Sequence, residues 1–303
     1  MYVAAASGAL RPVLTGPARP AECLGVTSGA LYLEIAGPPG ALAVLAHDAV
    51  RLPCGLLLPT TSAELPLSSL APPGDASAGF MVGDGAVSWT GPAGLVVVRA
   101  VREWAPARPT RGNVAGSALA AVRTVLSGAT LAGADPGVDG RLLADLAAAA
   151  SDHDASVAAA TLLLGSGPGL TPSGDDVLTG FLAGAAAFGL DAAALREAIA
   201  VLAPARTTAL SAALLWHAAR AECIDEVAAA AAVLTSRRRS ATEQAGPAVS
   251  RLLSVGHTSG GALALGLLTA AESALHMQAV LAKTGLAETV PGKTVLAKTG
   301  RAA

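Results

Sequence analysis

Pro106-Ala107-Arg108-Pro109 divides the sequence into two parts that differ in hydrophobic periodicity. Two prolines in four residues resist both helix and sheet, so residues 106–112 are predicted to be a linker. Before this stretch, apolar residues form short runs with a period near two. After it, they recur about every 3.6 residues, the spacing of a helix. The sequence therefore predicts an α+β protein, with a small β-rich domain at 25–105 and a larger all-helical domain at 113–279.

The β-rich domain is indicated by short runs separated by turn residues. These runs are Leu-Tyr-Leu-Glu-Ile-Ala-Gly (31–37), Ala-Leu-Ala-Val-Leu-Ala (41–46), Cys-Gly-Leu-Leu-Leu-Pro (54–59), 79–89 and Gly-Leu-Val-Val-Val-Arg-Ala-Val (94–101). Asp84-Gly85 is a hairpin signal within one of them. We predict a small barrel or sandwich, preceded by an N-terminal extension at 1–24.

The second half is indicated as helical by its apolar spacing. The predicted helices are 113–127, 140–151, 154–164, 176–190, 191–203, 207–223, 225–235, 241–255 and 259–278. Aromatic residues make up only 3% of the chain, so alanine, leucine and valine must build the core, and Gly180 and Gly184 favour close helix packing. Residues 280–303 repeat Val-Leu-Ala-Lys-Thr-Gly and are predicted to be a flexible or hairpin-like tail.

Composition limits the partners and the compartment. A net charge of -2 over 303 residues, without a long basic stripe, argues against nucleic acid as a partner. Three widely spaced cysteines fit neither a disulfide framework nor a zinc site. There is no cationic leader, and the best apolar stretches, 177–190 and 262–271, are shorter than the roughly 20 residues of a membrane span. A cytoplasmic protein with no membrane partner is predicted.

The first motif is Gly165-Ser166-Gly167-Pro168-Gly169-Leu170-Thr171-Pro172-Ser173-Gly174-Asp175-Asp176, which lies between two apolar runs. Free N–H groups at a helix start, together with the helix dipole, favour anions. No lysine follows the glycines and no strand precedes them, so this is neither a Walker A loop nor a dinucleotide fingerprint. The alternative is a structural turn. The predicted anion-binding residues are Gly167, Gly169, Thr171, Ser173 and Gly174.

Two adjacent carboxylates, Asp175 and Asp176, end the first motif. Both would repel a bare anion unless a cation or proton intervened. One can complement the helix dipole, while the other can bind a divalent cation such as Mg²⁺, orient a substrate N–H group or act as a base. Helix capping by both is the structural alternative.

The second motif, Gly256-His257-Thr258-Ser259-Gly260-Gly261, has the same design in front of another apolar helix. His257 borders this predicted anion site, so it is either a proton donor or a structural histidine. Thr258, Ser259 and Gly260 are candidate ligand contacts, with capping of the helix as the alternative. Between the motifs, Thr208 and Ser211 lie on one helix face and either line a polar pocket or bond to their own turn.

No hydrolase or metalloprotease signature is present in the sequence. A site without a resident nucleophile would act by positioning and electrostatics on a small anionic substrate.

Residues 165–176, Thr-Thr-Ala-Leu-Ser at 207–211 and Gly-His-Thr-Ser-Gly at 256–260 together resemble the AllH-like family of unknown function, over about 25–278. Its named members are described as a subunit of oxamate carbamoyltransferase. The resemblance implies a role with partner subunits in purine or allantoin degradation, where oxalurate and phosphate give oxamate and carbamoyl phosphate. Phosphate, oxamate or oxalurate would then be the ligands.

One position departs from the family pattern, which usually continues the second motif with Ala-Asp where this chain has Gly261-Ala262. The resemblance and the residues together suggest one anion at 167–174 and another at 258–260. Asp175 or Asp176 would orient the carbamoyl nitrogen or a divalent ion. The competing interpretation is a non-catalytic subunit that binds a metabolite or serves assembly, and the missing carboxylate favours it.

Overall fold

The computed structural model describes residues 1–71, 79–131, 137–148 and 153–284. The predicted tail lies largely outside the described residues, and its first part, residues 280–284, continues the last helix.

The N-terminal region, residues 1–104, is a closed barrel, which confirms the β-rich prediction. The strand order around the barrel is β1-β5-β4-β3-β2-β6-β7-β8, and parallel pairing of β8 with β1 closes it. The strands are β1 (Tyr2–Ser7), β2 (Arg19–Val26), β3 (Ala30–Ile35), β4 (Ala41–Leu45), β5 (Gly55–Leu57), β6 (Met81–Gly83), β7 (Ala86–Gly91) and β8 (Gly94–Trp104). Two short helices, α1 (Arg11–Thr15) and α2 (Leu67–Leu70), lie between strands.

Strands β1 and β2 fall mostly in the range that the sequence analysis set apart as an N-terminal extension. In β1, Ala4 and Ala6 face the core, but alanine is a weak strand former and gives little signal. Strand β2 is mostly half-buried or exposed, so it lacks an apolar run. The barrel nevertheless needs both strands, because β2 joins β3 to β6 and β1 joins β5 to β8.

The region after the barrel is helical, as predicted. Its helices in the described chain are α3 (Gly116–Leu131), α4 (Gly140–Ala148), α5 (His153–Leu163), α6 (Ser173–Phe188), α7 (Ala193–Arg206), α8 (Ala209–Ala218), α9 (Asp225–Thr235), α10 (Arg239–Leu253) and α11 (Ser259–Thr284).

Helices α6 and α11 pack at backbone contact distance. A Cβ atom on Gly180 would lie 2.1 Å from the Leu263 carbonyl oxygen, and one on Gly266 would lie 2.0 Å from the Val177 carbonyl oxygen. Only glycine allows this approach, so the prediction of close packing at Gly180 is confirmed. The two motifs immediately precede or begin these helices, and the packing therefore brings them together.

The barrel and the helices share several contacts. Leu210 and Ala213 of α8 are buried in the barrel core. The predicted linker is hydrogen-bonded to the helical region at Ala107, whose carbonyl accepts a hydrogen bond of 2.9 Å from the Cys223 N–H. Arg51 of the barrel pairs with Asp225 at the start of α9.

Helix α11 is longer than its predicted apolar core. By length and composition alone, its Ser259–Lys283 segment is long and apolar enough to cross a membrane. The sequence analysis argued that the apolar stretches are too short for a span, and this argument does not hold for α11. A core helix of a globular protein meets the same criteria, and α11 packs closely against α6.

Candidate functional site

The two motifs meet in space. The Thr171 hydroxyl of the first motif lies 2.9 Å from the Ser259 hydroxyl of the second, within hydrogen-bonding distance. Both residues line one cavity, although they are separated by 88 positions in the chain.

The cavity has a volume of about 240 Å³ and lies between the barrel and the helices. The barrel side includes Thr27, Tyr32 and Leu52, and the helical side includes Asp176, Thr179, Glu222 and Ser259. The lining is mainly apolar. Among the described residues that line it, Asp176 and Glu222 are the carboxylates, and there is no lysine, arginine or histidine.

Asp176 is the predicted acid that reaches this cavity. Its side chain is buried, with 4% of the residue exposed, and Oδ2 has no hydrogen-bond partner among the described residues. Burial raises its pKa to about 7, and the nearby Asp175 charge adds to the rise, while a hydrogen bond from Ser259 opposes it. Asp176 can therefore hold or release a proton near neutral pH.

Asp175, by contrast, is engaged within the protein. Oδ1 accepts a hydrogen bond of 2.9 Å from the Gly165 N–H, and Oδ2 accepts one from the Thr207 hydroxyl. Burial raises the pKa of Asp175, and the hydrogen bonds from Thr207, Gly165 and Ser211 oppose that rise. It does not line the cavity. The structure thus uses Asp175 to join the first motif to the α7–α8 turn.

The first motif uses its glycines to fold tightly. Gly167 has a φ of +119°, and a Cβ there would lie 2.8 Å from the Ser173 nitrogen. The Gly174 N–H donates to the Ser166 carbonyl, and the Asp175 N–H donates to the Pro172 carbonyl. Ser173 and Gly174 are buried outside the cavity lining, while Gly169 is exposed outside it. Of the predicted anion contacts in this motif, Thr171 reaches the cavity.

The second motif also has predicted site residues inside and outside the cavity lining. Ser259 lines the cavity, whereas His257 and Thr258 are exposed and do not line it. Gly260 is buried, its N–H donates to the Val255 carbonyl, and a Cβ there would lie 2.1 Å from the Leu252 carbonyl oxygen. Gly260 thus serves close packing of the helix start.

Thr208 and Ser211 hold the first motif in place. The Thr208 hydroxyl donates to the Leu170 carbonyl at 2.6 Å and accepts from the Ser211 N–H at 3.1 Å, so Thr208 caps α8. The Ser211 hydroxyl also faces the Leu170 carbonyl, at 3.4 Å. Neither residue lines the cavity. Both hydroxyls therefore position the loop that carries Thr171.

Residues 163–271 match the model of a protein family described as oxamate carbamoyltransferase subunit AllH. Over these residues the chain is AllH-like. No curated protein and no solved structure matches the chain. The AllH-like region contains both motifs and the helical wall of the cavity, while the barrel wall lies outside it.

Sequence reasoning missed Glu222, which also lies in the AllH-like region. Its carboxylate accepts from Arg108 at 2.7 Å and pairs with Nδ1 of His217 at 2.8 Å. These contacts lower the pKa of Glu222, the His217 hydrogen bond having the largest effect. Glu222, Arg108 and His217 belong to no recognisable site motif, so only the fold brings them together, and of the three Glu222 lines the cavity.

Metal ligands are sparse in the AllH-like region. Among the described residues, no group of three histidine, cysteine or acidic side chains is placed to hold a metal ion. Mg²⁺ often takes only one or two carboxylates and completes its shell with water and phosphate oxygens. A divalent ion at Asp176 stays a prediction.

Proposed function

We propose that this chain is a subunit of an oxamate carbamoyltransferase-like enzyme and that the cavity at Asp176 is its small-molecule site. The reaction converts oxalurate and phosphate into oxamate and carbamoyl phosphate, in purine or allantoin degradation in the cytoplasm. A phosphate oxygen bonds to the carbamoyl carbon, the bond from that carbon to the oxamate nitrogen breaks, and the nitrogen takes up a proton.

The observation that carries this proposal is the convergence of the two motifs on one cavity, with an unpartnered carboxylate oxygen in its wall. A buried polar atom without a partner costs free energy, so it marks a position where a ligand can supply the missing contact. Asp176 has a pKa of about 7, which suits a group that gives a proton to the leaving nitrogen. Thr171 and Ser259 add hydroxyls that can bind a ligand oxygen.

Binding of two anions needs more than this cavity. Its described lining has no cationic side chain, and the N–H groups of Gly174, Asp175 and Gly260 already donate to carbonyls. We therefore propose that phosphate binds with cationic groups from partner subunits. The family description as a subunit fits this division of the site. A divalent cation at Asp176 is the alternative, in which the ionised carboxylate binds the metal and does not supply the proton.

The direct test is phosphate-dependent cleavage of oxalurate by the chain together with its partner subunits. Asp176→Asn and Ser259→Ala should each lower kcat/KM by at least about tenfold, the loss expected for a proton donor or a buried polar contact. Glu272→Gln is the control, because Glu272 is a surface carboxylate paired with Arg123. Unchanged rates in both site variants would refute the proposal.

A non-catalytic, metabolite-binding or assembly subunit is the second candidate. It is favoured by Ala262, which is fully buried where the family pattern usually has an aspartate. Cys223 supplies the thiol in the described lining of the cavity, and burial raises its pKa to about 12. Such a thiol is a poor nucleophile, which also favours a non-catalytic subunit. Thermal stabilisation of the isolated chain by oxamate without turnover in the reconstituted enzyme would support this alternative.

A further inference from the structure

Glu222 is the second carboxylate of the cavity wall, and the structure holds it in one orientation. We infer that Glu222 accepts an N–H group of the bound ligand and thereby makes the cavity prefer a small amide to a carboxylate of the same size. This inference rests on the proposed function, whose product oxamate carries such an amide.

The orientation of Glu222 comes from two donors on different elements. Arg108 of the linker reaches Oε1 and His217 of α8 reaches Oε2. A carboxylate oxygen has two lone pairs, so each oxygen can accept one further hydrogen bond. Glu222 itself is only 8% exposed and lines the cavity, so a ligand bound there can donate to one of these oxygens.

His217 is a positioning residue for this carboxylate. It is fully buried, and its ring packs edge-on against Trp216 with centroids 4.9 Å apart. Its Nδ1 faces Glu222, while Nε2 has no hydrogen-bond partner among the described residues. The buried ring thus holds the Glu222 carboxylate through the contact to Oε2.

The charge of the lining selects the ligand class. Arg108 and His217 keep Glu222 ionised, since both contacts lower its pKa, and no described cation faces the cavity to neutralise a ligand anion beside it. A ligand carboxylate placed there would meet like charge, whereas an amide N–H would donate to the carboxylate.

The two carboxylates of the lining differ in their hydrogen bonds. Glu222 is oriented by Arg108 and His217, whereas Asp176 Oδ2 has no hydrogen-bond partner among the described residues.

Oxamate and oxalate test this inference, because they differ by one amide in place of one carboxylate. Calorimetric titration of the full chain at pH 7, with phosphate and Mg²⁺ present, should give at least about tenfold tighter binding of oxamate than of oxalate. That ratio corresponds to one hydrogen bond to a charged acceptor. Glu222→Gln should reduce the ratio to near one, because a glutamine amide can pair with either ligand.

Two further variants keep the test decisive. Arg108→Gln removes one donor from the exposed side of Glu222 and should lower the ratio severalfold without disturbing the core. Glu272→Gln, at the exposed Arg123 pair, should leave the ratio unchanged.

The outcomes separate this inference from the proposed function. Equal or tighter oxalate binding by the wild type, or an unchanged ratio in Glu222→Gln, would overturn the role of Glu222. Oxamate binding that depends on Asp176 would in that case still support the proposed site. Absence of binding of either ligand, together with no oxalurate cleavage in the reconstituted enzyme, would overturn both.

Discussion

The hydroxyl groups of Thr171 and Ser259 lie 2.9 Å apart, and they join two motifs that the sequence separates by more than a quarter of the chain. Each residue stands at the beginning of a long helix, Thr171 just before α6 and Ser259 as the first residue of α11. The contact therefore fixes the relative positions of two helix starts at the cavity.

We expect this contact to be measurable as a coupling between two substitutions. Thr171→Val and Ser259→Ala should each reduce the free energy of unfolding by about 1 kcal/mol, and the double variant by about 0.5–1 kcal/mol less than the sum. Urea denaturation measures all of these values. Thr124→Val is the control, since its hydroxyl bonds to the Ala120 carbonyl of its own helix. Strict additivity would contradict the contact.

The α6–α11 packing predicts opposite effects for two helical glycines. Gly180→Ala places a Cβ atom 2.1 Å from the Leu263 carbonyl oxygen, so the helices must separate. We expect a loss of about 3 kcal/mol or more, the upper range for overpacking in a core. Gly246→Ala in α10 meets nothing within 4 Å and should stabilise by up to about 1 kcal/mol. Thermal denaturation compares the two, and a neutral Gly180→Ala would refute the close approach.

Local patterns predicted most of the architecture. The runs at 41–46 and 94–101 became strands β4 and β8, and α9 has the predicted bounds, because their apolar spacing is strong enough to specify local structure. The first two strands were missed because the closure of a barrel recruits weak strand formers that do not stand out by themselves. Pairing with distant strands, rather than local preference, forms β1.

The site was predicted at the level of motifs but not of individual atoms. The glycine and hydroxyl clusters marked two helix starts, and Thr171, Asp176 and Ser259 do meet at the cavity. Sequence could not distinguish Asp175 from Asp176, because successive helical residues point about 100° apart and only the packing decides which one faces the cavity. The Glu222 contacts also depend on packing between distant segments.

The two aspartates should respond differently to removal of charge. In Asp175→Asn, the new amide group replaces one acceptor of the Gly165 and Thr207 hydrogen bonds, and a buried donor then loses its partner. We expect a loss of about 1–3 kcal/mol in the free energy of unfolding. Asp176→Asn should not lower stability at pH 6, because Oδ2 has no partner to lose and the neutral amide avoids the cost of the raised pKa of the buried carboxyl group. Chemical denaturation at pH 6 tests the difference, and a larger loss for Asp176→Asn would contradict it.

The pH dependence of stability offers a separate test of Asp176. Its pKa is raised from 3.8 to about 7 in the folded protein, so the folded state retains a proton that the unfolded state releases between those values. This contribution is fully present below pH 3.8 and is lost as the pH rises toward 7. The slope is at most about 1.4 kcal/mol per pH unit.

Asp176→Asn isolates that contribution, because other titrating groups, including Asp175 and Glu222, occur in both proteins. The free energy of unfolding of the wild type minus that of the variant should fall steadily from pH 5 to pH 7, the upper value being the raised pKa, and level off above it. Urea denaturation at intervals of about half a pH unit is sufficient to follow the curve. A constant difference across this range would mean that Asp176 titrates as an ordinary exposed carboxylate, and the proton donor assigned to the leaving nitrogen would then be absent at neutral pH.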